Sequence, residues 1–464
     1  MIVCGINIGH LSSLTLMKNG EIIYYNEETK ISRKKLISGI PFNCIDQIKN
    51  YKLDYIYATS YDWDKVELTN LKHYLDFKNI LKKDQEVYCF FKPHHLSHLY
   101  KAYVDSKFKK ARVFVIDGRG SKWGPGFEVC SIYDIEGSKF NFKDCEGKFM
   151  GFQSYGKVNK DLLDDLNKNL TLDKIKKLPV NVDAAKTYQV YFENRYQKLV
   201  KKFKSSNMVF TGGTALNVVN NYKLKKLFPK TKMYFEPLCG DEGNCIGTVY
   251  NHYLNNNQKI KPIENIFLGE QIKINKSLLK DEYLKSNIVS KDIINILNKG
   301  EVVGLIQGKA EAGPRALGNR SLLLDPTIKN AKEKMNSIKK RESFRPFACS
   351  ILEKKFSTFF NVEEKEESPF MMIAPLAKEK TKNIAPSIVH VDGTCRVQTI
   401  NSKNNFQLNE LLKNFKIPIL MNTSFNLAGF PIVETFENVL HMLRNSELRY
   451  VYFSDEKKLL IKND

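Results

Sequence analysis

Two histidines lie four residues apart, a spacing that is typical of metal-binding pairs. His94 and His98 lie in the run Pro-His-His-Leu-Ser-His-Leu, which holds three of the eight histidines of the chain. On a helix these two positions project from one face, so both imidazoles could bind one metal ion. With the carboxylates of Asp117 and Asp241 they would form a nitrogen and oxygen set that suits a borderline transition metal better than magnesium or calcium. Surface histidines on a solvated helix are the alternative.

Four loops rich in glycine and aspartate are spaced along the first half of the chain. They read Gly-Ile-Asn-Ile-Gly-His from residue 5, Asp-Gly-Arg-Gly from 117, Thr-Gly-Gly-Thr-Ala-Leu-Asn from 211 and Gly-Asp-Glu-Gly from 240. Glycines let backbone N–H groups approach an anion closely. A single Gly-Gly loop is more often only a turn. Four of them in this order predict a nucleotide cleft between two similar lobes.

A dense set of cations forms the most specific stretch of the chain. Residues 307–321 read Gln-Gly-Lys-Ala-Glu-Ala-Gly-Pro-Arg-Ala-Leu-Gly-Asn-Arg-Ser, and residues 339–347 read Lys-Lys-Arg-Glu-Ser-Phe-Arg-Pro-Phe. Guanidinium groups bind phosphate bidentately, so this set could hold a triphosphate. Its members are Arg315, Arg320, Lys339, Arg341 and Arg345.

Further polar groups follow at positions that we expect to be strand ends. The run His-Val-Asp-Gly-Thr-Cys-Arg-Val-Gln begins at residue 390, and Asn-Thr-Ser-Phe-Asn begins at residue 422. For any single group, a helix cap, a turn or a surface ion pair is the alternative. Together they predict additional contacts to a bound phosphate or nucleotide, from Ser321, His390, Asp392, Arg396 and Asn422.

The elements that must position these residues alternate between strands and helices. The runs 2–8, 14–17 and 21–25 are β-rich, and the Asn-Gly pair at 19–20 predicts a hairpin. Residues 111–116, 301–307 and 417–421 read as strands, and residues 161–178, 184–203 and 292–298 as helices. A polar stretch with a proline near residues 255–280 indicates a linker. We therefore predict an α/β protein with one domain at residues 1–265 and a second at 280–464.

Composition narrows the classes of protein and partner. The nine cysteines are dispersed without a C-x-x-C pair, which predicts no disulfide framework or zinc knuckle and favours a reducing cytoplasm. The apolar runs are far shorter than the roughly 18 residues of a membrane-spanning helix, so we expect no membrane partner. The net charge of +22 favours a polyanion such as nucleic acid. The lysine bias of an AT-rich genome is the alternative explanation.

Taken in order, the motifs resemble one enzyme family. They are G-I-x-x-x-H from residue 5, H-H-x-x-H from 94, D-G-x-G from 117, G-x-x-M-G-x-x-x-Y-G from 147, G-G-x-A-L-N from 212, G-D-E-G from 240, E-x-G-P-R-A-L-G-N-R-S from 311, R-E-x-F-R-P-F from 341, H-x-D-G-T-x-R-x-Q from 390 and N-T-S-F-N from 422. The set covers about residues 2–445 and resembles the ATP-dependent O-carbamoyltransferases of nodulation-factor and antibiotic tailoring.

The resemblance implies both a fold and a reaction. The first domain would be of the actin-like ATPase type, a duplicated ribonuclease-H-like fold, and the second would be YrdC-like. The YrdC-like domain would form carbamoyl-adenylate from carbamoyl phosphate and ATP, with Mg²⁺ accompanying the ATP. The first domain would then pass the carbamoyl group to an acceptor hydroxyl and release AMP.

The resemblance also implies roles for particular residues. Iron or another divalent metal would bind at His94, His98, Asp117 and Asp241. The loop that contacts the adenylate would include Gly212, Gly213 and Asn217, with Gly118 grouped beside it. The candidate base for the acceptor hydroxyl is His10, and the activation chemistry would fall to Arg315, Lys339, Arg341 and Arg345. The family motif H-D-A-S-A reads His-Leu-Ser-Ser-Leu here, and G-E-P-I-V reads Gly-Phe-Pro-Ile-Val from residue 429, so the departures concern the acceptor more than the activation step.

A basic stretch bears on the acceptor. Between Arg195 and Lys232 there is no Asp or Glu, and lysines flank the Gly-Gly loop at 198, 201, 202, 204, 223, 225, 226, 230 and 232. Our leading hypothesis is a hydroxymethyl group on a pyrimidine in DNA, with lysines on the phosphates and the base flipped out. The alternatives are a small sugar, glycoside or secondary metabolite, and a non-catalytic module that binds nucleotide or nucleic acid. The sequence leaves the oligomeric state open.

Overall fold

The computed structural model describes residues 1–35, 37–60, 65–82, 85–89, 94–117, 122–123, 126–127, 130–142 and 182–463. Three large β-sheets, with helices packed on them, make up this part of the chain. The predicted α/β class is therefore confirmed. The predicted helix at 161–178 and the motif at 147–156 lie outside the described residues. Within these ranges, no helix combines the length and the apolar character that crossing a bilayer requires.

The first sheet has the strand order β3-β2-β1-β4-β5. The turn between β2 and β3 has positive φ at Asn19 and Gly20, as a two-residue hairpin of this hand requires, so the predicted hairpin is confirmed. Short helices follow the hairpin and flank β4. The strands are β1 (Ile2–Asn7), β2 (Ser13–Lys18), β3 (Glu21–Glu27), β4 (Tyr55–Thr59) and β5 (Val87–Cys89), and the helices are α1 (Glu28–Ser32), α2 (Phe42–Gln47) and α3 (Lys65–Phe77).

The second sheet has the order β10-β9-β6-β11-β12. The predicted strand at 111–116 and helix at 184–203 are confirmed as β6 and α5. The helices are α4 (His94–Ser106), α5 (Val182–Lys202), α6 (Val218–Leu227) and α7 (Asn244–Asn255), and 3₁₀ turns cover Gly213–Leu216 and Asp241–Gly243. The strands are β6 (Lys110–Ile116), β9 (Cys130–Glu136), β10 (Lys139–Phe142), β11 (Asn207–Thr211) and β12 (Lys232–Phe235), beside the small ribbon of β7 (Lys122–Trp123) and β8 (Gly126–Phe127).

These two sheets share one topology. In the first, β1 pairs antiparallel with β2 and parallel with β4. In the second, β6 takes the place of β1, because it pairs antiparallel with β9 and parallel with β11. The outer strands repeat the match on both sides. This repetition is the duplicated ribonuclease-H-like architecture that we expected, and it makes the ends of β1 and β6 equivalent positions in two lobes.

The third sheet has eight strands in the order β13-β20-β19-β14-β15-β18-β16-β17. Its strands are β13 (Glu282–Lys285), β14 (Val303–Ile306), β15 (Arg320–Leu324), β16 (Ala348–Leu352), β17 (Val397–Ile400), β18 (Ile419–Ser424), β19 (Tyr450–Phe453) and β20 (Lys458–Lys462). Its helices are α8 (Ser290–Asn298), α9 (Ala331–Lys339), α10 (Phe356–Phe359), α11 (Glu379–Ile384), α12 (Phe406–Asn414) and α13 (Phe436–Arg444). The strands predicted at 301–307 and 417–421 and the helix at 292–298 are confirmed.

Alternating side chains give this sheet a core on each face. Leu322 and Leu324 of β15 enter one apolar cluster, and Leu323 between them enters another. Successive side chains of a strand point to opposite faces, so a strand buried on both sides reads as a continuous apolar run. The sheet therefore lies between two apolar layers. Polar residues that bind a ligand are expected in the loops at the ends of its strands.

The connection between α7 and β13 has little regular secondary structure. Two residues of this connection are bonded to Ala310: the N–H of Gly269 donates to the carbonyl of Ala310, and the N–H of Ala310 donates to the carbonyl of Glu270, each over 3.0 Å. One apolar cluster includes Leu99 of α4 together with Ala312 and Ala348 from beyond the connection. The third sheet thus packs directly against the first two. The division at residues 265 and 280 stays a prediction.

Candidate metal centre and anion site

The two histidines predicted to bind metal lie at the start of α4. The helix begins at His94, and His98 follows one turn later on the same face, as the spacing predicts. Both side chains are buried, so the alternative of surface histidines on a solvated helix is wrong. Buried polar rings cost free energy unless they have polar partners.

Those partners are two aspartates at the carboxyl ends of strands in the second sheet. Asp117 follows β6, and Asp241 opens the 3₁₀ turn after β12. Nε2 of His94 lies 3.1 Å from Oδ2 of Asp117 and 3.2 Å from Oδ1 of Asp241. Nε2 of His98 lies 3.4 Å from the same oxygen of Asp241. One ligand atom from each of the four residues lies within 4.8 Å of the others.

These separations fit a single metal ion. Nitrogen and oxygen donors bound at about 2.1 Å lie about 3 Å from adjacent donors and about 4 Å from opposite ones. The gaps between histidine and aspartate atoms are 3.1, 3.2, 3.4 and 4.0 Å. Two imidazole nitrogens with carboxylate oxygens form a set that suits divalent transition metals. The structure therefore brings together the four predicted ligands in a geometry that could hold such an ion.

The electrostatics of this cluster favour a positive charge among the donors. Burial by itself would lower the pKa of His94, but the carboxylates of Asp241 and Asp117 outweigh it and raise that pKa to about 10. Burial opposes ionisation of Asp241, yet the neighbouring His94 keeps its pKa below the usual value. A position where carboxylates outweigh the cost of burying a cation is suited to binding a metal.

Asn244 is a further member of the cluster, and the sequence motifs do not include it. Its Nδ2 lies 3.2 Å from Nε2 of His98. Asn244 begins α7, which crosses α4 so closely that a Cβ on Gly247 would overlap the carbonyl of Ser97. A glycine three residues after Asn244, near the opening of a helix, was the available signal of that close crossing.

The predicted Gly-Gly loop lies beside the same centre. The N–H of Gly213 donates to Oδ1 of Asp117 over 3.0 Å. Gly212 has a φ of +82°, and a Cβ there would overlap the carbonyl of Ile116. Only glycine allows this backbone to approach the end of β6 so closely. Gly118 lies outside the described residues.

Asn217, at the end of that loop, is held from two directions. Its Oδ1 accepts the N–H of Asn220 over 3.2 Å and so caps α6. Its Nδ2 donates to Oε1 of Gln189 on α5 over 2.9 Å. Contact with an adenylate stays a prediction for Asn217, and a structural role is already evident.

His10 follows the central strand of the first sheet, as Asp117 follows that of the second. The side chain of Asn7 donates to the carbonyl of His10 over 3.1 Å and to that of Leu11 over 3.3 Å. These bonds hold a turn in which Leu11 has a φ of +50°. The half-buried imidazole is thus presented by a fixed loop, while its role as a base stays a prediction.

The structure brings four predicted cations close together, and we call this cluster the anion site. Its members are Arg315, Arg341, Arg345 and Arg396. Burial and the nearby guanidinium groups of Arg315 and Arg341 hold the pKa of Arg396 well below its ordinary value. Burial and Arg345 lower the pKa of Arg341 to about 10. Burial also lowers the pKa of Arg315. Glu342 pairs with Arg345 at 3.2 Å and offsets only part of the depression at Arg341, so net repulsion among these cations remains and phosphate groups would relieve it.

Lys35 joins the anion site from the first lobe, and no sequence motif indicates this. Burial, Arg345 and Arg341 together lower its pKa. The lysine lies beyond α1, about 300 residues from these arginines in the sequence. Its place could not be read from the chain because no local pattern reports a contact between distant segments. The site is therefore shared between the two halves of the protein.

Other predicted cations are engaged in internal hydrogen bonds. The guanidinium of Arg320 donates to the carbonyls of Gln307, Asn319, Glu270 and Gly308 over 2.7–3.0 Å. Four of its five N–H groups are used, so Arg320 holds the loop, and we assign it no contact with phosphate.

Lys339 has a similar internal position. Its ammonium donates to the carbonyls of Ser424 and Asn426 and to Oδ1 of Asn426. Burial, Arg341 and Lys35 lower its pKa well below the ordinary value. Lys339 therefore supports the loop after β18 at the edge of the anion site, and a catalytic role stays a prediction.

The remaining predicted contacts are partly structural. Ser321 Oγ accepts the N–H of Gly318 over 3.0 Å, and Asn422 Nδ2 donates to Ser350 Oγ over 2.8 Å. Asp392 accepts the backbone N–H of Thr394 over 3.0 Å. Burial lowers the pKa of His390, whose Nδ1 lies 4.0 Å from Asp392. These groups lie around the loops of the third sheet, and binding of nucleotide by them stays a prediction.

Buried contacts join the anion site to the first lobe. Oε1 of Glu27 accepts the N–H of Gly313 over 2.8 Å and pairs with Lys30 at 3.0 Å. Lys30 also donates to the carbonyl of Glu311. Two residues beyond Gly313, the guanidinium of Arg315 donates to the carbonyl of Leu216 over 3.3 Å. The loop that carries Arg315 is thus held between the first and second lobes.

The lysine stretch at 198–232 is less uniformly cationic than its sequence. Lys223 pairs with Glu193 at 2.6 Å and Lys226 with Glu363 at 3.4 Å, and Lys225 pairs with Glu366. Glu363 and Glu366 come from the third sheet's unit, so the sequence window does not show them. The exposed lysines at 198, 201 and 204 lie on or just after α5.

Comparisons with known proteins indicate a family. Family models described as carbamoyltransferase C-terminus and carbamoyltransferase N-terminus match residues 294–458 and 169–250. The uncharacterized protein MJ1051 of Methanocaldococcus jannaschii is 30% identical over 93% of this chain and 94% of its own. Nodulation protein NolNO of Sinorhizobium fredii is 25% identical over 95% of this chain and 77% of its own.

Among solved structures, HypF of T. kodakarensis resembles 55% of this chain and 48% of its own, with 10% identity and a TM-score of 0.37. The two family models and the similarity to the nodulation protein identify the family. The chain is a transferase and belongs to the O-carbamoyltransferase family.

Proposed function

We propose that this enzyme activates carbamoyl phosphate with ATP at the anion site and transfers the carbamoyl group to an acceptor hydroxyl at the metal centre. The observation that carries the proposal is the convergence of His94, His98, Asp117 and Asp241 within 4.8 Å. The anion site supports it from the other side, because its cations depress one another's pKa values.

The activation step requires groups that gather two anionic substrates. Carbamoyl phosphate loses its phosphate to water, and an oxygen of the resulting carbamate attacks the α-phosphorus of ATP. That attack forms carbamoyl-adenylate and expels pyrophosphate, whose charge Arg315, Arg341 and Arg396 would stabilise with Lys35. Mg²⁺ would accompany the ATP, as it does with most triphosphate substrates. The adenylate makes the otherwise poor carbamoyl electrophile reactive.

The transfer step requires two separate groups. A divalent cation, which we propose to be Fe²⁺, would supply a Lewis acid that polarises the carbamoyl oxygen. His10, in its neutral form, would accept the proton of the acceptor hydroxyl as that oxygen attacks the carbamoyl carbon. The bond to AMP then breaks and AMP leaves. Because Gly212 and Gly213 lack side chains, their loop would leave room for that leaving group beside the metal centre.

Half-reactions test the proposal. With ATP and carbamoyl phosphate, His94→Ala should release pyrophosphate at the wild-type rate but form no carbamoylated product. Arg396→Met should lose pyrophosphate release itself. Asp134→Asn is a matched control, because it breaks an ion pair with Arg112 on the same lobe away from both sites. Wild-type enzyme that releases no pyrophosphate with these substrates would refute the activation scheme.

For the acceptor we propose a hydroxymethyl pyrimidine in DNA, supported by the exposed lysines at 198, 201 and 204. The ion pairs of Lys223, Lys225 and Lys226 reduce the surface available for phosphates. Phosphate contacts release counterions, so DNA carbamoylation should fall steeply between about 50 and 200 mM salt. A sugar or other small acceptor predicts turnover that barely responds to salt. Mass spectrometry of each acceptor after reaction would detect the carbamate.

A further inference from the structure

Three charged residues form a buried cluster next to the metal centre. On α4, Lys101 and Asp105 continue the spacing of His94 and His98, so all four occupy one face of the helix. Nζ of Lys101 lies 3.0 Å from Oδ2 of Asp105 and 2.5 Å from Oε1 of Glu236. Their exposed fractions are 2%, 5% and 0% in the order Lys101, Asp105 and Glu236.

Glu236 belongs to the segment that carries the metal-binding Asp241. It follows β12, and its Oε1 also accepts the N–H of Leu238 over 3.1 Å. The methylenes of Lys101 pack against the far end of the same segment, since a Cβ built on Gly243 would lie 3.1 Å from Cδ of Lys101. One lysine side chain on the histidine helix therefore contacts both ends of residues 236–243.

The ion pair between Lys101 and Glu236 is better suited to fixing the positions of two elements than to stabilising the fold. Replacing a buried ion pair with apolar residues of similar volume is often neutral or stabilising, so the pair is weak evidence of a stability role. A charged hydrogen bond, however, has a defined length and direction. Here it connects the element that bears two imidazoles with the element that bears a carboxylate.

We propose that Lys101 and Glu236 are positioning residues that set the distance between Asp241 and the two histidines. The inference rests on the proposed metal centre and deepens it. Neither residue belongs to the set of four proposed ligands. Their ion pair acts through the segment 236–241 and through α4, and it preorganises the donor atoms that would otherwise drift apart when no ion holds them.

Asp105 offers a matched control for Glu236, because both carboxylates bind the ammonium of Lys101. Its Oδ1 accepts the N–H of Ile263 over 2.9 Å and the hydroxyl of Tyr250 over 3.1 Å. Because Asp105 and the histidines share one helix, its bond to Lys101 does not connect that helix to the Asp241 segment. Asp105→Asn and Glu236→Gln are both isosteric, and each removes one negative charge from Lys101.

The test is a metal titration of the full-length protein. Co²⁺, followed by its visible absorption, and Fe²⁺ under anaerobic conditions serve as probes, and urea unfolding of each variant is measured in parallel. Glu236→Gln should weaken metal binding about 10-fold or more, within the range for groups behind metal ligands. Asp105→Asn should change it less than about twofold, whatever its effect on unfolding. Both should release pyrophosphate at the wild-type rate.

Equal weakening by the two variants, or no weakening by Glu236→Gln, would overturn the inference. If Glu236→Gln does not fold, the triple variant Lys101→Met, Glu236→Leu and Asp105→Asn replaces the ion pair with apolar side chains without leaving the Asp105 carboxylate, 3.0 Å from Lys101, buried and unpaired, and it should fold yet bind metal weakly. Wild-type affinity in that variant would also overturn it. Two other results would instead refute the proposed metal centre: a wild-type protein that binds neither ion, or a His94→Ala variant that binds both ions with wild-type affinity.

Discussion

Replacing Arg341 with methionine should make the ligand-free protein no less stable while abolishing activation. Burial and Arg345 lower the pKa of Arg341 to about 10, from above 12 in free arginine. A tenfold change in proton affinity corresponds to about 1.4 kcal/mol. Keeping this guanidinium charged at neutral pH therefore costs the folded state about 3 kcal/mol. The cost is present at all pH values below about 10 and declines only as the pH rises toward the ordinary arginine value.

Favourable contacts offset part of that cost. Nε of Arg341 donates to Oδ1 of Asn336 over 2.9 Å, and NH2 donates to the carbonyl of Pro346 over 3.1 Å. Each such bond contributes about 1 kcal/mol, or somewhat more from a charged donor. The two terms nearly cancel, so Arg341→Met should change the free energy of unfolding by no more than about 1 kcal/mol.

Urea unfolding with and without pyrophosphate measures both parts of the prediction. Pyrophosphate should stabilise the wild type, because its charge compensates the crowded cations, and should stabilise Arg341→Met much less. Arg112→Met is the matched control, since Arg112 has a bidentate carboxylate partner at 2.6 and 2.7 Å, and its loss should destabilise the protein. A loss of more than about 2 kcal/mol in Arg341→Met, with pyrophosphate stabilisation retained, would refute the idea of a cationic site whose charge is only partly compensated.

Three further substitutions probe the loops around the two sites. Lys30→Met removes the partner of a buried carboxylate and the bond to the Glu311 carbonyl, so pyrophosphate should still form but product per ATP should fall; an unchanged ratio would count against coupling through this contact. Gly212→Ala should reduce transfer at least about 100-fold and lower stability by about 1–3 kcal/mol, because the φ of +82° and the nearby carbonyl exclude a side chain. Glu311→Gln should slow pyrophosphate release, because its Oε1 accepts three backbone N–H groups of the loop at 2.7–3.1 Å; wild-type kinetics would exclude that role.

Features with local causes could be predicted from the sequence. The hairpin at Asn19 and Gly20 follows from the backbone conformation that this pair favours. The histidine pair on α4 follows from helical spacing, and short apolar, strand-like runs predicted β6 and β18. The motifs also indicated the family, because several of them recur together in one order along the chain.

Features that depend on distant segments could not be predicted. Lys35 reaches the anion site across the whole chain, and Asn244 reaches the histidines only because two helices cross at a glycine. The lysine stretch looked uniformly basic until folding placed Glu363 and Glu366 beside it. Arg320 looked like a phosphate ligand, but four backbone carbonyls occupy its guanidinium.

The chain alone therefore determined the chemical types at the two sites, the local elements that carry them and the family to which they belong. The tertiary structure decided which of those groups meet. Side-chain type and helical or strand spacing act over a few residues and are written in the local sequence. Whether a charge is compensated, and whether a donor is already used, depends on segments that only the packed fold brings together.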